Sequence, residues 1–140
     1  MDVLKDKLAA SGEQEYMSPA QVAVFKQALF DEKSRLIASN KKSKDEEMEG
    51  VGERFSDPAD EGQRITDALL RNSQEFNRTK RIRQIDRALL AIANEEYGFC
   101  EVCGEEIGLA RLTVNPAALS DVHCSTVKEK KKAHFLSVAF

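Results

Sequence analysis

A chain of 140 residues with a net charge of −3 holds one domain or one and a half, and too little core for a wide enzyme scaffold. Charged residues make up 32% of it and aromatic residues only 6%, with no Trp, so apolar area per residue is low and an elongated helical body is expected rather than a globule. The acidic balance argues against a dedicated nucleic-acid binder, which needs a basic face to neutralise phosphates; a protein partner is expected instead.

No apolar run approaches the roughly 18 residues of a membrane span, and the start, MDVLKDKLAASGEQ, lacks the hydrophobic block of a signal peptide. A cytoplasmic protein without membrane contact is expected. The odd count of three Cys, two of them in a CxxC knuckle, favours metal or redox chemistry over a disulfide framework.

Residues 1–17 are polar and weakly patterned, with Val3, Leu4 and Leu8 as a short helical face, and are expected to form a tail or flap. At Ser18-Pro19-Ala20-Gln21 the chain offers an N-cap, a proline for the first helical position and a glutamine able to complete a capping box. Val22, Phe25, Leu29, Leu36 and Ile37 then recur at helical spacing. From Lys41 to Glu49 the sequence is almost wholly charged, with only Met48 apolar, so this helix is expected to continue solvated and to loosen at Gly50 and Gly52.

A second start signal follows at Asp57-Pro58-Ala59-Asp60, with an acid at the N-cap, proline at the first helical position and a carboxylate where the helix dipole favours it. Ile65, Leu69, Asn72, Phe76, Thr79, Ile82, Ile85, Leu89 and Ile92 run on at steps of three and four, and neither Pro nor Gly intervenes between Gly62 and Gly98. The pattern predicts one helix of about 37 residues, about 55 Å long. Two such helices joined by a short link form an antiparallel coiled coil with little interior at its distal end, and its tip carries Phe55, Asp57 and Asp60.

Beyond Gly98, Cys100 and Cys103 have the spacing at which two thiolates of one tight knuckle grip a tetrahedral Zn²⁺. The return half-site reads Asp121-Val122-His123-Cys124, a finger with one ligand exchanged. Between them lies a short alternating piece, Leu109 to Val114, closed by Pro116; from about Cys124 to Leu136 the chain reads as a basic helix. The fold expected is therefore mainly α: a long antiparallel coiled-coil hairpin on a small zinc-finger-like globular base with a C-terminal helix. Its segments are a tail or flap over 1–17, the hairpin over 18–97 with its tip near 55–62, the finger-like piece over 98–124 and the last helix over 125–140.

This order of features resembles the DksA/TraR family of bacterial transcription factors: a helix started by SPAQ, an SDPAD tip, a long return helix ending in EEYGFCEVCGEEIGLARL, Pro116, a second half-site and a lysine-rich terminal helix. The resemblance runs from about Glu15 onward, and YGFCEVCGEEIGLARL is its most specific segment. It implies a monomer that binds bacterial RNA polymerase, inserts its coiled coil into the secondary channel and brings Asp57 and Asp60 towards the active centre. Open-complex stability at rRNA and stringent-response promoters is then altered without sequence-specific DNA contact. The residues alone also allow both acids simply to cap the second helix, and the two roles are compatible.

Departures from the family pattern bear on regulation. The tip pattern Asp-x-x-Asp-x-Ala ends here in Gly62, which loosens the first turn by about 1 kcal/mol. The basic positions that the family uses for the alarmone ppGpp fall on Gln84, Asn115 and Ser125, none of them charged, so the resemblance implies weak or absent ppGpp potentiation. Arg81, Arg83 or Lys128 are the neighbours that could substitute.

Asp121 stands where the family has its third thiolate. A Cys100/Cys103/Cys124/Asp121 site, a set with His123 as the fourth ligand, and a metal-independent finger packed on Ile107, Leu109, Leu112 and Val114 all stay open. Redox chemistry at the CxxC lacks a thioredoxin-like strand-helix context. The lysine run 128–132 and His134 read as a solvated helical face, and Arg78, Lys80, Arg81, Arg83 and Arg87 as a coiled-coil flank or a contact for an acidic surface of the polymerase. A transcription factor rather than an enzyme is expected. The alternatives are a Gre-like cleavage cofactor holding a metal at the tip, and a zinc adaptor for another protein.

Overall fold

The computed structural model describes residues 16–49 and 57–138, which form four helices and, within those residues, no strand. The flap face of Val3, Leu4 and Leu8, the loosening at Gly50 and Gly52, and Phe55 lie outside the described residues. Helix α1 spans Pro19–Glu49 and begins with the expected capping box: Ser18 N–H donates to Gln21 Oε1 at 2.9 Å, and Gln21 N–H donates to Ser18 Oγ at 3.3 Å. Helix α2 spans Pro58–Ala93 with Asp60 and Glu61 in its first turn, and the Asp57 carbonyl accepts the N–H of Glu61 at 3.3 Å.

The described residues fall into two compact units, 16–29 with 85–138, and 30–84. The first holds the core. Phe25 and Leu29 of α1, Ile85 of α2, Ile107 and Leu112 are fully buried, each stabilising the fold by about 1.5–3 kcal/mol. Phe25 meets Tyr97 with ring centroids 5.8 Å apart, and the Tyr97 hydroxyl donates to the Pro116 carbonyl at 2.7 Å. That one aromatic residue thus joins the helices to the loop beyond the knuckle.

Helix α2 stops at Ala93 without the help of Gly98. Glu95 takes a left-handed φ of 62°, the N–H of Glu96 reaches back to the Ala91 carbonyl at 2.9 Å and that of Glu95 to Ile92 at 3.2 Å. This is a Schellman stop built on a residue with a Cβ, at a cost of about 1–2 kcal/mol. Gly98 serves the packing instead, since at φ 91° it lies so close to Tyr16 and Met17 that a Cβ would collide with both.

Leu109 to Val114, an alternating piece by sequence, is in fact the short helix α3, Leu109–Val114, with Leu112 as its buried residue. Six residues are too few for alternation to tell strand from helix, and Leu-Ala-Arg-Leu favours the helix by propensity. Helix α4 spans Val122–Val138, so Cys124 rides on its first turn.

In the unit 30–84 the two helical segments run antiparallel: as the partner on α1 advances from Glu32 to Lys44, the partner on α2 retreats from Arg81 to Glu75. Polar groups carry the pairing. Arg81 grips Glu32 through Nε at 2.7 Å and Nη2 at 3.0 Å, and Lys44 pairs with Glu75 at 3.3 Å. Arg78 donates to Asn40 Oδ1 at 2.7 Å, Ser43 Oγ at 3.1 Å and Ser39 Oγ at 3.3 Å. No described residue between 30 and 84 is buried. Ile65, Leu69 and Phe76, which follow the apolar period of α2, are 55%, 65% and 69% exposed, as expected where the hairpin has little interior.

Candidate metal centre and tip carboxylates

The knuckle is formed by backbone bonds. Cys100 N–H donates to the Glu105 carbonyl at 2.7 Å and Gly104 N–H to the Cys100 carbonyl at 2.8 Å, with Gly104 at the left-handed φ of 75° that this tight turn requires. Glu101 N–H donates to the Leu119 carbonyl at 2.9 Å, tying the knuckle to the segment that leads into α4. Glu101 also binds Lys128 of α4 at 2.9 Å through one oxygen and Arg87 of α2 through the other.

These ties bring together residues separated by some twenty positions of sequence. The Sγ atoms of Cys100, Cys103 and Cys124 and a carboxylate oxygen of Asp121 all lie within 4.8 Å of one another. A tetrahedral Zn²⁺ with Zn–S bonds near 2.3 Å sets its sulfur ligands about 3.8 Å apart, so this donor set fits the ion. His123 is exposed on the same turn and is not one of the four. The choice follows from the helix start: Asp121 precedes α4, and its Oδ1 accepts the N–H of Cys124 at 2.6 Å, which turns Oδ2 to within 3.8 Å of Cys103 Sγ.

The electrostatics are uneven within the cluster. Burial opposes ionisation of Cys100, but the backbone N–H groups of Cys103, Asp121 and Val102, with the Cys103 thiol, outweigh it and lower this thiol to about 7. Burial, then the neighbouring Cys103, Asp121 and Cys100, push the Cys124 thiol up to about 12. The Cys124 backbone N–H holds the Asp121 carboxyl below the usual carboxylate range, against a smaller effect of burial. A divalent cation entering such a site displaces the remaining thiol protons, so metal binding here is linked to pH.

In the unit 30–84, Asp57 and Asp60 are both exposed at the start of α2. Gln84 is half-buried on α2, Asn115 ends α3, and Ser125 donates its N–H to the Asp121 carbonyl at 3.0 Å. Of the cations near these positions in sequence, Arg81 is engaged with Glu32 and Lys128 with Glu101, while Arg83 is exposed. Two features escaped the sequence: the Arg78 clamp, whose acceptors are ordinary helix-surface residues, and the capping bond of Asp121, for which the signal was an aspartate directly before a helical run.

Fold and site together define a protein that combines a two-helix hairpin with a cysteine-knuckle metal centre. The sequence profile of the prokaryotic dksA/traR C4-type zinc finger matches residues 95–119. The chain is 30% identical over 130 residues to the RNA polymerase-binding transcription factor DksA of Caulobacter vibrioides, covering 93% of this chain and 91% of that one. It is 30% identical over 123 residues to the protein of the same name from Escherichia coli K12, covering 83% and 76%. Among solved structures, the transcription factor DksA2 from Pseudomonas aeruginosa superposes with a TM-score of 0.76 at 29% identity, over 93% of this chain and 99% of that one. The RNA polymerase binding protein and transcriptional regulator Dks from Chlamydia trachomatis L2 gives 0.53 at 28%, over 82% and 94%.

The chain belongs to the DksA/TraR family. The matched finger is of the C4 type, and this chain departs from it in composition, since it contains three Cys in all and Asp121 completes the cluster. The family finger and the donor cluster both point to zinc.

Proposed function

We propose that this protein binds bacterial RNA polymerase and regulates transcription by presenting Asp57 and Asp60 to the enzyme's active centre through the secondary channel. The observation that carries the reading is near-full-length identity of 30% to a protein named for RNA polymerase binding, together with exposed carboxylates at the first turn of α2. A hairpin two helices wide, about 20 Å across, enters a channel that excludes a globular domain. Carboxylate oxygens are the ligands Mg²⁺ prefers, so acids brought near a catalytic Mg²⁺ perturb it or the mobile elements around it. The exposed apolar residues Ile65, Leu69 and Phe76 supply area for that contact.

Zinc, held by Cys100, Cys103, Cys124 and Asp121, acts structurally in this reading: it closes the knuckle on the first turn of α4 and supplies no reaction. The protein works in the cytoplasm as a monomer, without reading promoter sequence. With uncharged Gln84, Asn115 and Ser125 and with Arg81 and Lys128 already paired, ppGpp adds little. Affinity capture with purified core polymerase tests the first step. Retention that survives Asp60→Asn is expected, because the tip acts after docking; absence of any retention would point to a zinc adaptor for a different protein.

A further inference from the structure

Helix α4 is rich in lysine and has no acidic residue within its first turn, so its start depends on what precedes it. That residue is Asp121. One carboxylate oxygen, Oδ1, accepts the Cys124 N–H at 2.6 Å, and the Asp121 carbonyl accepts the Ser125 N–H at 3.0 Å, the bonds of an N-cap and a first helical turn. The other oxygen, Oδ2, faces Cys103 Sγ at 3.8 Å inside the four-donor cluster.

A carboxylate has two oxygens and can serve two neighbours at once. A thiolate at the same position has one sulfur, which is a weak hydrogen-bond acceptor, and can fill only one of these roles well. From this geometry we infer that Asp121 divides its carboxylate between two roles: Oδ1 caps α4 permanently, and Oδ2 is the oxygen ligand of the zinc site. The inference rests on the zinc reading of this cluster and adds to it that α4 starts at Val122 with or without the ion. Binding of the metal then closes the knuckle onto a helix already begun. The Lys128–Glu101 pair, 2.9 Å long, is a second link between α4 and the knuckle that needs no metal.

Three full-length proteins separate the two roles: wild type, Asp121→Asn and Asp121→Cys. Amide exchange at Cys124 and Ser125, read after chelator treatment, reports the cap; competition of a chromogenic chelator for Zn²⁺ reports the ligand. Asn caps as well as Asp, so the Asn variant is expected to keep wild-type protection without metal while its zinc affinity falls about tenfold or more. The Cys variant is expected to hold zinc at least as tightly as wild type, yet to lose protection about fivefold when stripped, the factor that a cap of about 1 kcal/mol represents. Protection that collapses in stripped wild type, or that is equal in stripped Asp and Cys proteins, overturns the capping half. Undiminished zinc affinity in the Asn variant overturns the ligand half. A wild type that takes up no Zn²⁺ overturns the zinc reading itself, and the exchange arm, run without metal, shows that failure separately from a failure of the cap.

Discussion

Replacing Arg78 by Ala removes a side chain that ties α2 to three acceptors of α1 within the unit 30–84. Its guanidinium spans from α2 to Asn40, Ser43 and Ser39 on α1 at 2.7, 3.1 and 3.3 Å, and it is half-buried. Each such bond contributes about 0.5–1.5 kcal/mol net. The three acceptors sit close enough to solvent to be rehydrated once the guanidinium is gone, so the low end applies and the loss comes to about 1.5–2.5 kcal/mol. No described residue of this unit is buried, so polar pairs, the Arg78 bonds with Arg81–Glu32 and Lys44–Glu75, hold its helices in register. The effect belongs to local opening, which amide exchange resolves residue by residue. Protection over 35–46 and 72–84 is expected to fall about tenfold or more, while amides around Phe25, Ile85 and Leu112 stay unchanged. Arg78→Lys, with one compact donor group in place of a fork, should recover only part of the loss. A cycle with Ser39→Ala and Ser43→Ala should show coupling to Arg78 and none to Arg81. Protection in Arg78→Ala within twofold of wild type, or a loss spread evenly over both units, would refute the clamp.

Three further outcomes follow from the same structure. In zinc-free protein the Cys100 thiol is lowered to about 7 from an ordinary 9.0, so its contribution to stability is complete above about pH 9 and fades as pH falls towards 7; Cys124, raised to about 12, contributes below about pH 9 and loses its contribution as pH rises. Denaturant unfolding of the stripped protein should therefore show greatest stability near pH 9, and a steady decline from pH 7 to 9 would contradict these assignments. Leu112→Ala empties a fully buried site under α3 and should cost about 2–5 kcal/mol in thermal or denaturant unfolding, with less than 1 kcal/mol counting against its place in the core. Adding ppGpp to polymerase with this protein should leave the protein's effect on open-complex lifetime unchanged; strong potentiation would show that cations elsewhere than at the uncharged positions Gln84, Asn115 and Ser125 form the site.

The helix starts were legible because they rest on local chemistry. Ser18 with Gln21, and Asp57 before Pro58, satisfy or favour the first turn through residues three or four apart, and nothing distant can alter that. The end of α2 was not legible, since Glu95 adopts a left-handed backbone that only surrounding structure can impose on a residue with a Cβ. The apolar period through Ile65, Leu69 and Phe76 was legible as a helical face, and the exposure of these residues agrees with the little interior expected far from the finger; period locates a face, and packed neighbours decide whether the face is covered. The knuckle spacing announced two metal donors. Which of Asp121 and His123 joined them was beyond the sequence, because the answer depends on where α4 begins and hence on the direction in which the capping carboxylate turns.

The most direct test of the account is the lifetime of the open complex at an rRNA promoter, measured with purified polymerase, this protein and no ppGpp. A shortened lifetime with wild-type protein, abolished by Asp60→Asn although the variant still binds polymerase, is the result predicted for a tip that acts at the active centre. An unchanged lifetime with wild type, or an Asp60→Asn variant as active as wild type, would contradict it.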